Sequence, residues 1–347
     1  GAAEINLFDR DIANIYVAAK LHAPIILVGD IERGGVFASL YGTVALLPPE
    51  IRSLVKGLVI NKFRGDPAIL EPGLAMLEEL TGVPVLGVMP YLDLNLPSED
   101  SVSLGDKRGG GGGEKVEIAV VRLPRISNFT DFEPLEREAR VRYVAPGEPL
   151  GSPDAVIIPG TKNTVADLEE MRARGTDREI LALREAGVPI LGICGGYQIL
   201  GRTIVDRGIE NATAEMAGLG LLDLETRFDR YEKRTVQVEK PVTGDGPILG
   251  RIMGERVRGY EIHMGVTGSQ EPPAFGDDGA VAGDGLVIGT YLHGIFNNQN
   301  FRDAFLDYLY SKKNLVRGSA MAAGDGYDEL AAAAEKYLDM EKIWKMI

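Results

Sequence analysis

One cysteine, three histidines and one tryptophan are all that 347 residues contain of these types. A single thiol excludes an intrachain disulfide framework and points to a reducing compartment. Basic residues are also in deficit, 37 against 51 acidic ones, for a formal charge of −14. That excludes a general nucleic-acid surface, which needs a basic patch, but leaves room for an anionic small molecule held by a local cluster. No apolar run reaches the roughly 20 residues of a membrane span. The opening Gly1-Ala2-Ala3-Glu4 lacks the basic-then-apolar pattern of a signal peptide. The expectation is a soluble, cytoplasmic protein with neither a nucleic-acid nor a membrane partner. No GxxxxGK[ST] string occurs either, so no intact P-loop is available to cradle phosphates. Against these absences stand 45% apolar residues, enough for a core in each of the two domains that the length suggests.

Five consecutive glycines, 109–113, mark the clearest boundary. They cost much ordering entropy and offer no side chain to pack, so 105–115 reads as a linker. The following Glu114 and Lys115 do not make it a phosphate loop. Before it, short apolar runs at 24–28, 56–60 and 83–88 read as buried strands with helical patterns between them. Asp66 is placed to cap a helix carrying Leu70, Leu74, Leu77 and Leu80. After it, strands are expected at 116–121, 155–158 and 188–193, and helices at 164–174 and 177–186. A β-rich stretch follows at 219–290, and a final helix at 327–347 has Leu330, Ala334, Tyr337 and Leu338 on one face. Strand–helix alternation implies an α/β fold of two domains, each on a mostly parallel sheet. Such sheets bind ligands beyond the carboxyl ends of their strands, where Asp30 and Asn61-Lys62 fall.

The lone cysteine sits where chemistry would want it. An apolar strand, 188–193, runs into Cys194, then Gly195 and Gly196, then a helical pattern. This is a nucleophile elbow built around sulfur, analogous to the GxSxG turn of hydrolases. The small residues Gly192 and Gly195 let the turn close, and the N–H of Gly195 can donate to an oxyanion. A buried structural cysteine is the ordinary alternative, but the glycine pattern outweighs it. A second strand, 155–158, ends in Pro159-Gly160, whose backbone N–H could complete the oxyanion hole. A thiol nucleophile needs a base, and the candidates are His22, His263 and His293. His22 lies on a helical pattern in the first domain and reads as a surface or packing residue. His293 ends the apolar strand 286–292, and His263 lies in GYEIHMG at 259–265. By spacing alone these two are even.

At these residues the chain resembles the cobyric acid synthase family, in the cobalamin-pathway branch of class-I glutamine amidotransferases. The strings are CGGYQ at 194–198, YEIH at 260–263, YLHGIF at 291–296, AEINL at 3–7, DIERGGVF at 30–37, NKFRGD at 61–66, LPRISNFTDFEP at 123–134 and YLDMEKIW at 337–344. The resemblance implies that His293 is the catalytic base, with His263 structural or substrate-facing. It places Tyr197 and Gln198 with Gly160 and Gly195 in the oxyanion and glutamine-binding set. Class-I relatives commonly carry an acid two residues after the histidine. That position is Ile295, so a Cys–His dyad is implied, with Glu261 as a guess for an orienting acid. Arg125 and Asn128 are expected at an interface between two active sites.

The resemblance further implies a partial P-loop, dethiobiotin-synthetase-like domain at 1–104, the linker at 105–115, a glutamine amidotransferase domain at 116–311 and a helical segment at 312–347. It implies ATP- and glutamine-dependent amidation of the b, d, e and g carboxylates of (adenosyl)cobyrinic acid a,c-diamide, with ATP and Mg²⁺ serving the complete enzyme. Asp30, Arg33, Asn61 and Lys62 are the expected nucleotide- or substrate-binding residues. No metal ligand is assigned, and no tightly bound cofactor is expected. Without the P-loop string, the chain is expected to be a fragment or one piece of a split protein. The missing amino-terminal synthetase segment is then a partner beside glutamine and the corrinoid, and this chain alone is at most a glutaminase. The rival readings are another amidotransferase of this architecture (cobyrinic acid a,c-diamide synthase or the lipid II amidation glutaminase), a non-catalytic binding protein, and a cysteine hydrolase on the same fold.

Overall fold

The computed structural model describes residues 3–92, 94, 115–210, 213–231, 234–317 and 326–346. They belong to two units, Gly1–Leu96 with Ala322–Ile347, and Pro97–Met321. Apart from Lys115, the linker expected at 105–115 lies outside the described residues. Among the described residues, no helix is long and apolar enough to cross a membrane.

The first unit is built on three parallel strands, Ile25–Asp30, Val55–Phe63 and Val85–Pro90, in that spatial order. Each continues past its apolar run, because the polar residues at the end are still paired: Asp30 lies opposite Asn61. Alternate residues of such a sheet face opposite ways, and both faces need cover. Leu58 and Ile60 pack with Val36, Leu40, Val44, Leu70 and Leu77 of the helices Val36–Leu46 and Pro67–Thr81. Asp66 caps the second of these, accepting from the N–H of Ala68. Leu80, expected on its buried stripe, is exposed. Ten residues beyond Leu70 it has rotated about 80° off that stripe.

Val59, Leu86 and Met89 face the other way and meet Ala333 of the chain's last segment. That segment, expected as one helix, is two, Gly326–Tyr337 and Met340–Trp344. The break is caused by pairing with the sheet: Leu338 bridges Gly87, and the N–H of Asp339 donates to the carbonyl of Leu86 at 2.7 Å. Gly87 is required there, since a Cβ would stand 2.2 Å from the Tyr337 carbonyl oxygen. The apolar face therefore carries Ala333, while Tyr337 stays exposed.

In the second unit a six-stranded sheet runs Ala280–Val281, Val287–Thr290, Ile190–Ile193, Ala155–Ile158, Glu117–Val121, Arg140–Val144. All neighbours are parallel except the first pair. Its four-residue strands Ala155–Ile158 and Ile190–Ile193 are buried throughout, as strands covered on both faces must be. The end of the β-rich stretch, Ala280–Val281 and Val287–Thr290, joins this sheet, and the rest forms smaller sheets, one of which unites Arg234–Pro241, Arg256–His263 and Leu292–His293.

The helix Gly195–Leu200 lies against the carboxyl ends of this sheet with almost no clearance. A Cβ on Gly196 would fall 1.9 Å from the Ile158 carbonyl oxygen. Gly196→Ala is therefore expected to destabilise the protein by about 1–3 kcal/mol or more. Gly268→Ala, at an exposed strand position with open space, is expected to stay within about 0.5 kcal/mol of the parent. Denaturant midpoints of the two variants check this.

Candidate active site

Four neighbouring strands of the six-stranded sheet deliver their carboxyl ends to one place. Val287–Thr290 leads to His293, Ile190–Ile193 to Cys194, Ala155–Ile158 to Gly160, and Glu117–Val121 to the loop bearing Asn128 and Asp131. Cys194 has φ 54° and ψ −110°, a region that costs a side-chain-bearing residue free energy. It is pinned there by its own N–H on the Thr290 carbonyl at 2.8 Å, and its carbonyl accepts from Gln198 N–H at 3.1 Å. The glycines around it are steric necessities. A Cβ on Gly192 would lie 2.7 Å from the Gly196 carbonyl carbon, and one on Gly195 2.5 Å from Thr161 Cγ2. The helix that follows is a short one of six residues. Gly160 adjoins both the nucleophile and the imidazole: a Cβ there would be 3.2 Å from His293 Cε1 and 3.5 Å from Cys194 Cβ.

His293 is fully buried. Its Nδ1 lies 2.7 Å from Asp131 Oδ2, and the other oxygen of that carboxylate accepts from the Gly294 N–H at 2.9 Å. The Tyr260 ring stacks on the imidazole at 5.2 Å between centroids, and Asn128 Nδ2 is 3.1 Å from Nε2. Burial alone would strip the ring of its proton. The hydrogen bonds and charge of Asp131, together with Cys194, prevail, and its pKa is pushed up to about 10.

The acid partner of the histidine is thus present, which corrects the dyad expectation. It arrives from 162 residues earlier in the chain, not from the position two residues on, where Ile295 is packed in the core. Glu261 does not serve: it is buried against Lys240 at 2.6 Å and stands 3.9 Å from His263 Nε2. Asp131 lies within the quoted 123–134 segment, but a strand-end contact between distant segments leaves no spacing to read. Asn128 of the same segment lines this site as well, and Arg125 acts beside it. Arg125 pairs at 2.8 Å with the fully buried Asp167, which also accepts from Thr161 and so holds the 160–163 turn.

Cys194 opens on a cavity of about 290 Å³, lined by Gln198, Thr164, Lys162, Glu210 and His263 among others. Gln198 is held on three sides, by Thr164 Oγ1 at 2.9 Å, the Met264 carbonyl at 3.0 Å and Tyr291 Oη at 3.0 Å. Tyr197, expected with it, is not in the cavity. Its ring packs edge-on to Tyr291 at 5.2 Å and against Gly289, because one residue of helix turns it away from Gln198 toward the sheet. His263 stacks face-on against Tyr291, centroids 3.7 Å apart. His22 is exposed, at the carboxyl cap of the helix Ile15–Leu21 in the first unit. Glu210 escaped the sequence reading, since it belongs to no motif and lies in the bend after the strand Thr203–Asp206.

The other expected cluster lies in the first unit. Lys62, at φ 62°, places Nζ 2.8 Å from Asp30 Oδ2, and Asn61 Oδ1 accepts from its N–H at 2.9 Å. The Lys62 hydrogen bond and charge hold the Asp30 carboxyl below its ordinary range. Arg33 is exposed beside them. Glu32 pairs with Arg64, whose guanidinium covers the Tyr91 ring at 3.3 Å. Asp30 and Glu32 are each engaged by a cation, and among the described residues no group of three or more His, Cys, Asp or Glu could hold a metal ion. These residues do not fit Mg²⁺ by themselves.

Residues 117–301, which carry the cysteine, histidine and aspartate, match the CobB/CobQ-like glutamine amidotransferase domain, and residues 6–97 match an AAA domain. A probable cobyric acid synthase from Methanosarcina barkeri is 61% identical over all of this chain and 72% of its own length. Another, from Methanococcoides burtonii, is 62% identical, again over all of this chain and 70% of its own. The chain belongs to the cobyric acid synthase family. A solved structure, PurLQS from Thermotoga maritima, aligns with 58% of this chain and 100% of its own at 20% identity, with a TM-score of 0.44. The residues matched by the glutamine amidotransferase family model, 117–301, include all six strands of the second unit's large sheet.

Replacing Asp131 by Asn removes the charge that holds the His293 proton and keeps an oxygen acceptor. The imidazole is then expected to titrate closer to 6.5 than to 10, which an NMR titration of the ring reads. A raised histidine pKa stabilises the fold fully below the unfolded value and ceases to do so as pH passes the folded one. Asp131→Asn is accordingly expected to cost about 3 kcal/mol below pH 6.5, with the difference from the parent narrowing as pH rises through about 10. Denaturation at both pH extremes checks the sign.

Proposed function

We propose that this protein works in the amidation of (adenosyl)cobyrinic acid a,c-diamide at its b, d, e and g carboxylates, using ATP and glutamine, and that its second unit releases the ammonia. The observation that carries the reading is Cys194, held at a strained elbow on the floor of a small cavity, with an acid-backed histidine on the next strand end. The AAA-type first unit and the family relationship support ATP as the co-substrate.

The chemistry follows from the side chains. His293 takes the thiol proton, and Cys194 Sγ attacks the carboxamide carbon of glutamine. The tetrahedral oxyanion is received by the N–H groups of Gly160 and Gly195. Asp131 keeps the imidazole oriented with Nδ1 on the carboxylate, so the other nitrogen handles the travelling proton. His293 returns that proton to the departing nitrogen, and ammonia leaves. Water then cleaves the glutamyl thioester, releasing glutamate and restoring the thiol. ATP would phosphorylate a substrate carboxylate, leaving ADP; ammonia then attacks the acyl carbon, the C–N bond forms as the C–O bond to phosphate breaks, and inorganic phosphate and a proton leave. In the first unit Lys62 and Arg33 are cations near the strand ends, suited to phosphate or carboxylate oxygens.

The glutaminase half is tested with 6-diazo-5-oxo-L-norleucine and intact mass. One adduct, blocked by glutamine, is expected on the parent chain and none on Cys194→Ala. Cys194→Ser and His293→Asn are each expected to lose glutamine hydrolysis by about 10²-fold or more with the circular dichroism spectrum unchanged. Full hydrolysis by Cys194→Ser ends this reading.

A further inference from the structure

Lys240, Glu261 and Asp278 are buried charged residues that the hydrolysis steps do not use. Lys240 Nζ lies 2.6 Å from Glu261 Oε1 and 2.7 Å from Asp277 Oδ1, and its charge also acts on Asp278. The Asp278 carboxylate accepts from the Thr290 hydroxyl through Oδ2 and from the Tyr291 N–H through Oδ1 at 3.2 Å. The Thr290 hydroxyl oxygen in turn accepts from the Leu292 N–H at 3.0 Å. One carboxylate thus governs three consecutive residues, 290–292. Thr290 also gives its carbonyl to the Cys194 N–H, and Leu292 precedes His293. Taking a carboxylate out of water is costly unless its lone pairs are filled and a cation answers it. Burial pushes the Asp278 carboxyl up, and the Thr290 and Tyr291 hydrogen bonds and the Lys240 charge oppose that. An amide cannot make the same bonds. Turned one way its NH2 meets the Tyr291 N–H, and turned the other it takes the acceptor away from the Thr290 hydroxyl.

We propose that Asp278 is a positioning residue for the hydrolysis of glutamine: its carboxylate sets the 290–292 strand end so that the Cys194 thiol and the His293 imidazole meet. The two reacting groups arrive on paired strands, Ile190–Ile193 and Val287–Thr290. The bond from the Cys194 N–H to the Thr290 carbonyl, at 2.8 Å, ties the nucleophile to the strand end that Asp278 holds. Asp131 fixes the chain just after the imidazole, through the Gly294 N–H, and Asp278 fixes it just before. A misplacement of reacting groups by about 1 Å costs on the order of 10²-fold in rate, so a bond made to the backbone ahead of the base has a direct effect on the chemistry. The role rests on the glutaminase reading and adds to it a residue that acts through others.

The test uses the full chain and three variants. Asp278→Asn removes the charge and Thr290→Val the hydroxyl, each with the shape kept, while Thr290→Ser keeps the hydroxyl. Alkylation of Cys194 by 6-diazo-5-oxo-L-norleucine is timed by intact mass over a range of reagent concentrations. The limiting rate reads the geometry of thiol and base, and the half-saturating concentration reads binding. Asp278→Asn and Thr290→Val are expected to lower the limiting rate about tenfold to a hundredfold with the half-saturating concentration unchanged, and Thr290→Ser to match the parent in both. Limiting rates at the parent's value in Asp278→Asn and Thr290→Val overturn the positioning role and leave the glutaminase reading standing. A smaller fraction of chain labelled, but at the parent's limiting rate, marks a structural role and also overturns it. The Thr290 pair decides alone where Asp278→Asn does not fold: a loss in Thr290→Val that Thr290→Ser shares in full overturns the role. A parent chain that takes iodoacetamide but never the diazo ketone overturns the glutaminase reading, and the positioning role with it.

Discussion

The contact between His293 and Asp131 is closed off from water, and much of the second unit is arranged around it. Two ionisable groups buried together are stable only if their remaining hydrogen-bonding capacity is filled. Asp131 fills its own with the Gly294 N–H, whose residue adopts φ 73° just after the histidine. Asn128, itself at φ 51°, turns the chain so that Asp131 can reach inward. Tyr260 covers the flat face of the imidazole. These residues come from three separate segments, the 128–131 loop, the strand Arg256–His263 and the 293–294 strand end, so the ion pair forms only when the sheet order is right.

The nucleophile is held by a second constraint, steric in kind. Cys194 occupies backbone angles that nothing local favours, and the helix after it runs within van der Waals limits of the neighbouring strand end. Glycine at 192, 195 and 196 is what makes that approach feasible. Local strain of this sort persists when the surroundings over-determine it, and here they do, with backbone hydrogen bonds on both sides of the residue. By contrast, the Asp30–Lys62 pair of the first unit is partly exposed and adds little to stability. It matters as an arrangement of charge at a sheet edge.

Reading the sequence located the apolar strands, the cysteine, the second strand-end loop and both competing histidines, because each is signalled by residues adjacent in the chain. By spacing it left His263 and His293 level, and the family resemblance chose His293. The structure separates them: His293 meets the aspartate and flanks Gly160, while His263 stacks on Tyr291 at the cavity wall. It missed Asp131 as a partner and Glu210 altogether, and it put Tyr197 in the pocket. All three errors share a cause. Motif spacing reports which residues are near in the chain, whereas these contacts depend on which strands are neighbours and which way a helix is rotated.

What the sequence determined by itself was local: which apolar runs form buried strands, that Cys194 follows one through a glycine-relaxed turn, and that no phosphate-loop string or membrane span is written in it. Those features follow from residue size, polarity and conformational freedom, which act over a few positions. Only the tertiary structure decided which acid holds the histidine and which charges share the thiol's cavity. Parallel strands consecutive in space are far apart in the chain, and charges taken out of water interact according to the distances that folding creates.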